Sequence, residues 1–495
     1  MPIMDEPTSL DPQIADSNSE KLVAANCYEG LVRIMADGTI GKGVATDWNI
    51  SDDGLTYTFK LRNNSHWAMF SGHKAVLGEN YEDTFDITVK AEDFKFGIER
   101  TLSEQTGSAD APLFAAVKSI STPDDFTIVF NLSYADDNFL YALTNPGAMP
   151  CDEEFFNLTN GKYGLDAKYL LCNGPFHVSK WTEKTSVKLA KNNEYNGESS
   201  VSPSSVTFYI NNDDSEVADK MNSVTYDVAF LSSSQFSSIE NKKDLNSVAV
   251  QNVTYSFIFN QNDNNYRNKN MRLAFCRSCD TSSLFDSQSD ISKADGIVPP
   301  SCKIGGEDYR NGNAAELLSY DETLAKKNFN DALLELGSSS VETTILCTEQ
   351  YEPFVKQMVQ KLQKTLGVKF VSTVKVVSES DLEAAVNDGN YSVAFYPFKA
   401  KSSFAGEIIE GFDQNNIFGY ESDVLSQKIR NIKNNSGSLE GERSAVADAE
   451  NYLVSEAVIM PVFYENSYFV TSKKTSGIYF YSSADNVCFI NAKKS

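Results

Sequence analysis

The chain has 495 residues, more than one hydrophobic core holds, since single cores stop growing at roughly 250–300 residues; two or three lobes are expected. Hydrophobic residues make up 41% and charged residues 22%, which excludes general disorder, a fibre or a disulfide-dense miniature. Lys and Arg number 43 against 68 Asp and Glu, a net charge of −25, and without a basic cluster such a surface repels phosphate backbones and argues against nucleic acid as a partner.

Met1–Asp11 carries no basic segment, apolar run or small-residue cleavage site, so the start reads as that of a cytosolic protein or of a mature chain already trimmed of its leader. Leu55, Tyr57, Phe59 and Leu61 alternate with Thr56, Thr58, Lys60 and Arg62, which predicts a half-buried strand entered through the Asp53-Gly54 turn. Gly38, Gly41 and Gly43 have the wrong order for a dinucleotide loop and read as a turn between strands. Phe94, Ile98 and Leu102 share a helix face, and period-two runs at Phe126–Leu132, Val206–Ile210 and Val253–Phe259 predict further strands.

The second half alternates strand and helix as an α/β domain does. A polar stretch, Gln261–Lys269, precedes a helix at Met271–Arg277, and another helix is predicted over Asp321–Leu336, ended by Gly337. Phe354, Met358, Leu362 and Leu366 form a stripe opened by Pro353 and closed by Gly367, leading into a strand at Val368–Val377. Ser380 and Glu383 have capping-box spacing for a short helix closed by Gly389, before a strand at Tyr391–Tyr396. Asn434–Gly441 reads as a surface loop, Val446, Ala449 and Leu453 as a helix stripe, and Ile459–Tyr464 as an apolar strand. The apolar run at Ala457–Phe463 is far below the roughly 18–20 residues that span a bilayer, so no membrane crossing is expected.

Catalytic patterns are missing: the chain has no HExxH, GxSxG, Walker loop or GxGxxG, and its Asp-rich stretches lack the EF-hand arrangement. No cofactor is expected. Eight cysteines are too sparse for a framework, and Cys276-x-x-Cys279 reads as two buried helix-face residues, with a redox pair or half a zinc site as alternatives. His66 and His73 read as exposed surface histidines.

Several segments occur together in a fixed order: Thr8-Ser-Leu-Asp-Pro12, Tyr28-Glu-Gly-Leu-Val32, Asp37-Gly-Thr-Ile40, Ser51–Arg62, Ala91-Glu-Asp-Phe94, Asn173-Gly-Pro-Phe176 with Trp181, Met271-Arg-Leu-Ala-Phe275 with Asp280, and Ile459–Tyr464. In that order and spacing the chain resembles the family 5 extracellular solute-binding proteins, the oligopeptide-binding and dipeptide-binding group, over essentially its whole length. The resemblance implies an α/β, two-lobed Venus-flytrap fold with an extra inserted subdomain in lobe one. It places lobe one at 1–45, 171–260 and 470–495, the insert at 46–170, and lobe two at 261–469.

The same resemblance implies a monomer that captures a peptide or other small solute by lobe closure and hands it to the permease of an ABC importer. It implies no enzymatic turnover and an extracellular or periplasmic site of action, with a lipid anchor in some relatives. An oligosaccharide or another non-peptide solute is the alternative cargo, and an enzyme or redox protein using Cys276 and Cys279 the alternative class. Tyr28 and Glu29 match a pair beside the family's cleft, Asn260 the end of the first crossing, and Tyr464 with Asn466 the second. Where the peptide binders carry a Trp and, three residues later, an Asp that pairs with the peptide ammonium, this chain has Tyr396 and Lys399; a lysine repels an ammonium there, so either the match slips and Asp413 or another carboxylate serves, or the peptide is held without amine recognition, or the cargo presents an anionic or neutral group. Cys151 and Cys172 flank the return of the insert to lobe one and are candidates for a disulfide, with two free thiols as the alternative.

Overall fold

Strand and helix alternate along the chain much as the hydrophobic spacing predicts, and the computed structural model describes every residue except 36–38, 137, 198–199, 282–284, 286–289, 400–403, 414–415, 436–437 and 482–485. Asp37 and Gly38 of the quoted motif, and residues 436–437 of the expected 434–441 loop, lie outside the described residues. The chain forms two compact units: unit 1 is Met1–Ala249 with Tyr468–Ser495, and unit 2 is Val250–Ser467. The divisions between the units, 249/250 and 467/468, lie inside the long strands Leu245–Phe259 and Ile459–Ser472 and not at the expected 260/261 and 469/470.

Unit 1 opens with β1 (Pro2–Ile3) and α1 (Asn18–Cys27). A capping box starts α1: Ser17 Oγ accepts from the Glu20 N–H at 3.2 Å, and the Glu20 carboxylate accepts from the Ser17 N–H at 3.1 Å. Next come β2 (Ala45–Ile50), β3 (Thr56–Leu61), α2 (Ala91–Leu102), β4 (Val117–Asp124) and β5 (Thr127–Leu132), the strands forming an antiparallel sheet in the order β2-β3-β5-β4. Tyr57, Phe59 and Leu61 point inward and Lys60 outward, and Phe59 meets Phe130 edge-on at 5.8 Å. Phe94 and Ile98 of α2 are fully buried, whereas Leu102, at the end of the helix, is exposed.

A second sheet runs β1-β8-β7-β6, from β6 (Phe176–Thr182), β7 (Ser186–Lys191) and β8 (Ser205–Ile210), with β1 parallel to β8 and the rest antiparallel. The segment 46–170 has its own sheet but no core of its own: Phe59, Phe94, Phe176 and Phe208 belong to one continuous cluster. Beyond β8 come β9 (Val228–Ser232) and β10 (Leu245–Phe259), the strand that leads into unit 2.

Two sequence expectations fail inside unit 1. His73 is 1% exposed: its Nδ1 accepts from the Phe70 N–H at 3.5 Å, its Nε2 lies 3.1 Å from the Leu170 carbonyl, and its ring packs on Phe70 and Phe155. Burial lowers its pKa to about 4. Cys151 and Cys172 are separate thiols, because Cys151 Sγ lies 3.6 Å from the Arg100 guanidinium that pairs with Asp11, while Cys172 lies against Cys27.

Unit 2 is a mixed sheet with helices on both faces. Its elements are α3 (Lys269–Ser278), β11 (Ile291–Lys293), α4 (Glu322–Leu336), β12 (Val341–Cys347), α5 (Glu352–Leu366), β13 (Phe370–Val376), α6 (Glu379–Asn387), β14 (Val393–Lys399), α7 (Asp423–Asn434), α8 (Leu439–Ser455) and β15 (Ile459–Ser472). The order is β15-β10-β14-β12-β13, with β11 also paired to β15; β12 is parallel to both its neighbours and β10 antiparallel to β14. Alternation sends Phe257, Phe259 and Phe395 to the face covered by α3, α4 and α5, and Ile258 and Ala394 to the face covered by α6, α7 and α8.

Val355, Met358 and Leu362 of α5 are buried, each contributing about 1.5–3 kcal/mol relative to exposure, which holds the helix on the sheet. The cap of α6 is Ser378, whose Oγ accepts from the Asp381 N–H at 3.1 Å, and not Ser380. The polar stretch after Asn260 includes a helical turn, Asn264–Arg267.

Candidate functional site

In unit 1 the chain leaves α1 through Tyr28 and Glu29, both turned inward. The Glu29 carboxylate takes the Arg62 guanidinium and the Tyr195 hydroxyl, the latter at 3.1 Å, and Arg62 also donates to the Gly43 carbonyl at 2.6 Å. Asn173 clamps the Glu29 backbone from both sides: its Oδ1 accepts from the Glu29 N–H at 3.0 Å and its Nδ2 donates to the Glu29 carbonyl at 2.8 Å. Tyr28 is buried with its hydroxyl 3.3 Å from that of Tyr163. Both side chains of the expected pair thus have internal partners, and they frame unit 1.

In unit 2 the expected residues divide in the same way. Asn260, at the end of β10, is buried and donates to the carbonyls of Gly389 and Tyr391, both at 2.8 Å, so it fixes the turn into β14. Tyr464 is 3% exposed; its hydroxyl accepts from the Asp295 N–H at 3.1 Å and donates to the Val298 carbonyl at 3.4 Å. Asn466 Oδ1 accepts from Gln251 Nε2 at 2.8 Å, and the same amide reaches Ser292. Tyr396 stands opposite Ser256 and Lys399 opposite Val253 in the β10–β14 ladder. Three residues apart on one strand, Tyr396 and Lys399 face opposite sides of the sheet and do not make one subsite.

The face that carries Lys399 also carries an aromatic group that sequence reasoning missed. Tyr255 of β10 lies 4.3 Å from Tyr351, 5.5 Å from Phe395 of β14 and 5.1 Å from Phe463 of β15, between ring centroids. Two residues beyond Phe463, on the same face, stands Glu465. Its Oε1 accepts from the Tyr351 hydroxyl and from Gln350 Nε2, the amide at 3.2 Å. Both donors converge on Oε1, so Oε2 remains available to a further donor. Burial pushes the Glu465 carboxyl up from its ordinary value, the two donors partly offset this, and the charges of Glu379 and Asp290 push the same way as burial. Among the described residues no lysine or arginine pairs with Glu465. The arrangement suits a cationic ligand group, because an ammonium gains from a carboxylate and from flanking aromatic rings together.

Residues 39–418 match the family described as bacterial extracellular solute-binding proteins, family 5, which is more than half of the chain. The chain belongs to this family. This family 5 protein is 24% identical to the dipeptide-binding protein DppE of Bacillus subtilis over 96% of its own length and 88% of the relative's. It is 22% identical to the probable D,D-dipeptide-binding periplasmic protein DdpA of Escherichia coli over 98% and 92%. Among solved structures, Listeria monocytogenes OppA bound to peptide matches with a TM-score of 0.76 and 20% identity, covering 100% of this chain and 98% of that one. The AgaA protein of Agrobacterium, solved with agropinic acid, matches with a TM-score of 0.72 and 17% identity over 99% and 97%.

The CxxC pair of this family 5 protein lies at the wall of a cavity of about 200 Å³ in unit 2, together with Asp280, Lys293, Tyr320 and Met460. Cys276 and Cys279 are both buried, and burial pushes both thiols up, Cys276 to about 12. Redox and metal chemistry need the thiolate, which such surroundings suppress. Among the described residues no three His, Cys, Asp or Glu side chains are placed to hold a metal ion, and no helix is long and apolar enough to cross a membrane.

Proposed function

We propose that this chain is the solute-capturing component of an ABC importer, that its cargo is a peptide, and that it releases the ligand unchanged to a membrane permease. The observation that carries this reading is that relatives matched over nearly the whole chain, 96% and 98% of it, are a dipeptide-binding protein and a probable D,D-dipeptide-binding protein. The aromatic group in unit 2 supports it: Glu465 supplies the carboxylate that the peptide ammonium needs, in place of the acidic residue that Lys399 replaces. The test is calorimetric titration of a free-amine dipeptide and its N-acetyl form. The free-amine peptide binds, acetylation weakens it at least tenfold, and Glu465→Gln weakens the free-amine peptide alone by a similar factor. Equal affinity for the two peptides would overturn the assignment of Glu465.

Lys399 favours a second reading, in which the cargo presents an anionic or neutral group, as a non-peptide solute or an oligosaccharide does. Binding of such a solute, with no heat from any peptide, would select it.

A further inference from the structure

All eight cysteines are thiols in this structure, and three of them, Cys27, Cys151 and Cys172, share the core of unit 1. Residues 27–29 lie directly against 172–174. The Gly174 N–H donates to the Cys27 carbonyl at 2.9 Å, and Asn173 clamps Glu29 through its side chain. The approach is close enough that a Cβ on Gly174 would stand 2.7 Å from the carbonyl carbon and oxygen of Cys27. Main chains this close set Cys27 and Cys172 on two touching segments, the kind of approach a disulfide requires. Cys27 and Cys172 are 0% and 1% exposed, and the Cys27 thiol, pushed up by burial, has Cys172 as its neighbour. Cys151 is otherwise engaged, by the Arg100 guanidinium at 3.6 Å and by the Tyr163 hydroxyl.

We propose that Cys27 and Cys172 are joined by a disulfide in the exported protein. The oxidant is a disulfide-class compound, RSSR, of the kind an extracytoplasmic compartment maintains. One cysteine thiolate attacks RSSR, forming a mixed disulfide and releasing RS⁻. The second cysteine then attacks the protein sulfur of that mixed disulfide and expels the other RS⁻. The balance is two protein thiols plus RSSR giving one protein disulfide plus two RSH, with two electrons passing to the oxidant. Buried thiols in the folded core stay protonated and inaccessible, so the exchange takes place while the chain folds, before the end of α1 is covered. The bond pins the end of α1 and the Glu29 clamp to the segment that enters β6. It also closes a loop containing the whole β2-β3-β5-β4 sheet, and long loops are those whose closure removes most chain entropy.

The test is to refold the full reduced chain in a mixture of reduced and oxidised glutathione, alkylate the remaining thiols, and map the peptides without reduction. The expected result is one linked pair, the Cys27 peptide with the Cys172 peptide, with Cys151 alkylated. The same link is expected in the Cys151→Ser variant. Recovery of Cys27 and Cys172 as alkylated thiols, or of either one joined to another cysteine, would overturn the proposal. Because the map is read on the wild-type chain, failure of a variant to fold does not obscure the result.

Discussion

Arg310 and Glu450 meet as a two-pronged ion pair buried in unit 2: Nη1 donates to Oε2 at 2.8 Å and Nη2 donates to Oε1. The carboxylate also accepts from the Ile297 and Val298 N–H groups at 2.7 and 2.9 Å and from the Tyr309 hydroxyl at 3.2 Å, so no lone pair is wasted. A buried charge left alone costs more than its pair was worth. Arg310→Met should therefore lower the unfolding free energy by about 3–5 kcal/mol, measured by urea titration. Adding Glu450→Leu should recover part of that loss, because it removes the stranded charge.

His73 should make stability depend on pH. Its folded pKa, lowered to about 4 by burial, lies below the unfolded value near 6.5, so the unfolded chain takes up the proton first. The stability is fully present above about pH 6.5 and is lost as pH falls towards 4, by up to about 3 kcal/mol from this residue. Urea unfolding at pH 7 and pH 4.5 should show a smaller difference in His73→Gln than in the wild type; an equal difference would refute the assignment.

Ligand binding through Glu465 should also carry a pH signature. The carboxylate must be ionised to hold an ammonium, and burial raises its pKa. Affinity for a free-amine dipeptide should fall as pH is lowered, starting above the range of an exposed glutamate. The groups facing it are Tyr255 of β10, Gln350 and Tyr351 before α5, Glu379 of α6 and Asp290 before β11, none of them basic. In Glu465→Gln this dependence should vanish in calorimetry between pH 7.5 and 5.

Cys276 should be inert in the native state. With its thiol pushed up to about 12 and its side chain buried, alkylation at pH 8 should leave the Cys276 peptide unmodified until urea is added. Rapid native modification would reopen a redox role for the CxxC pair.

Gly174→Ala should destabilise unit 1 by about 1–3 kcal/mol, since the new Cβ meets backbone atoms of Cys27 and Tyr28 that have nowhere to move. The readout is thermal unfolding, and a neutral effect would show that this approach can relax.

Much of the architecture was legible because it rests on local rules. The stripe of α5, its Pro353 start and Gly367 end, and the Gly337 end of α4 follow from helix spacing and terminus chemistry alone. Strand lengths were not: β15 runs on to Ser472 because its polar second half is paired, and pairing is not written in local hydrophobicity. The site residues were harder still. Tyr28, Glu29 and Tyr464 carry a family motif, yet their polar ends are consumed by Tyr163, Arg62 and the Asp295–Val298 backbone, partners far away in sequence. Glu465 had a faint signal, an acid directly after an apolar strand, but only the fold brings Tyr255 and Tyr351 to it. His73 looked like a surface histidine because nothing local announces Phe155 and Leu170 closing over it.

The return of Tyr468–Ser495 to unit 1 sets an order of assembly. Phe469, Val487, Phe489 and Ile490 fill the core begun by α1, and Asn26 holds the Val487 carbonyl and the Phe489 N–H. During vectorial synthesis or export, unit 2 has all its residues before unit 1 does, although unit 1 starts first. The earlier part of unit 1 must wait with an open hydrophobic face while more than two hundred intervening residues are made. A chaperone that protects the nascent chain therefore has its longest task at the N-terminal half, and a stop codon just after unit 2 would release a chain with one finished unit and one sticky one.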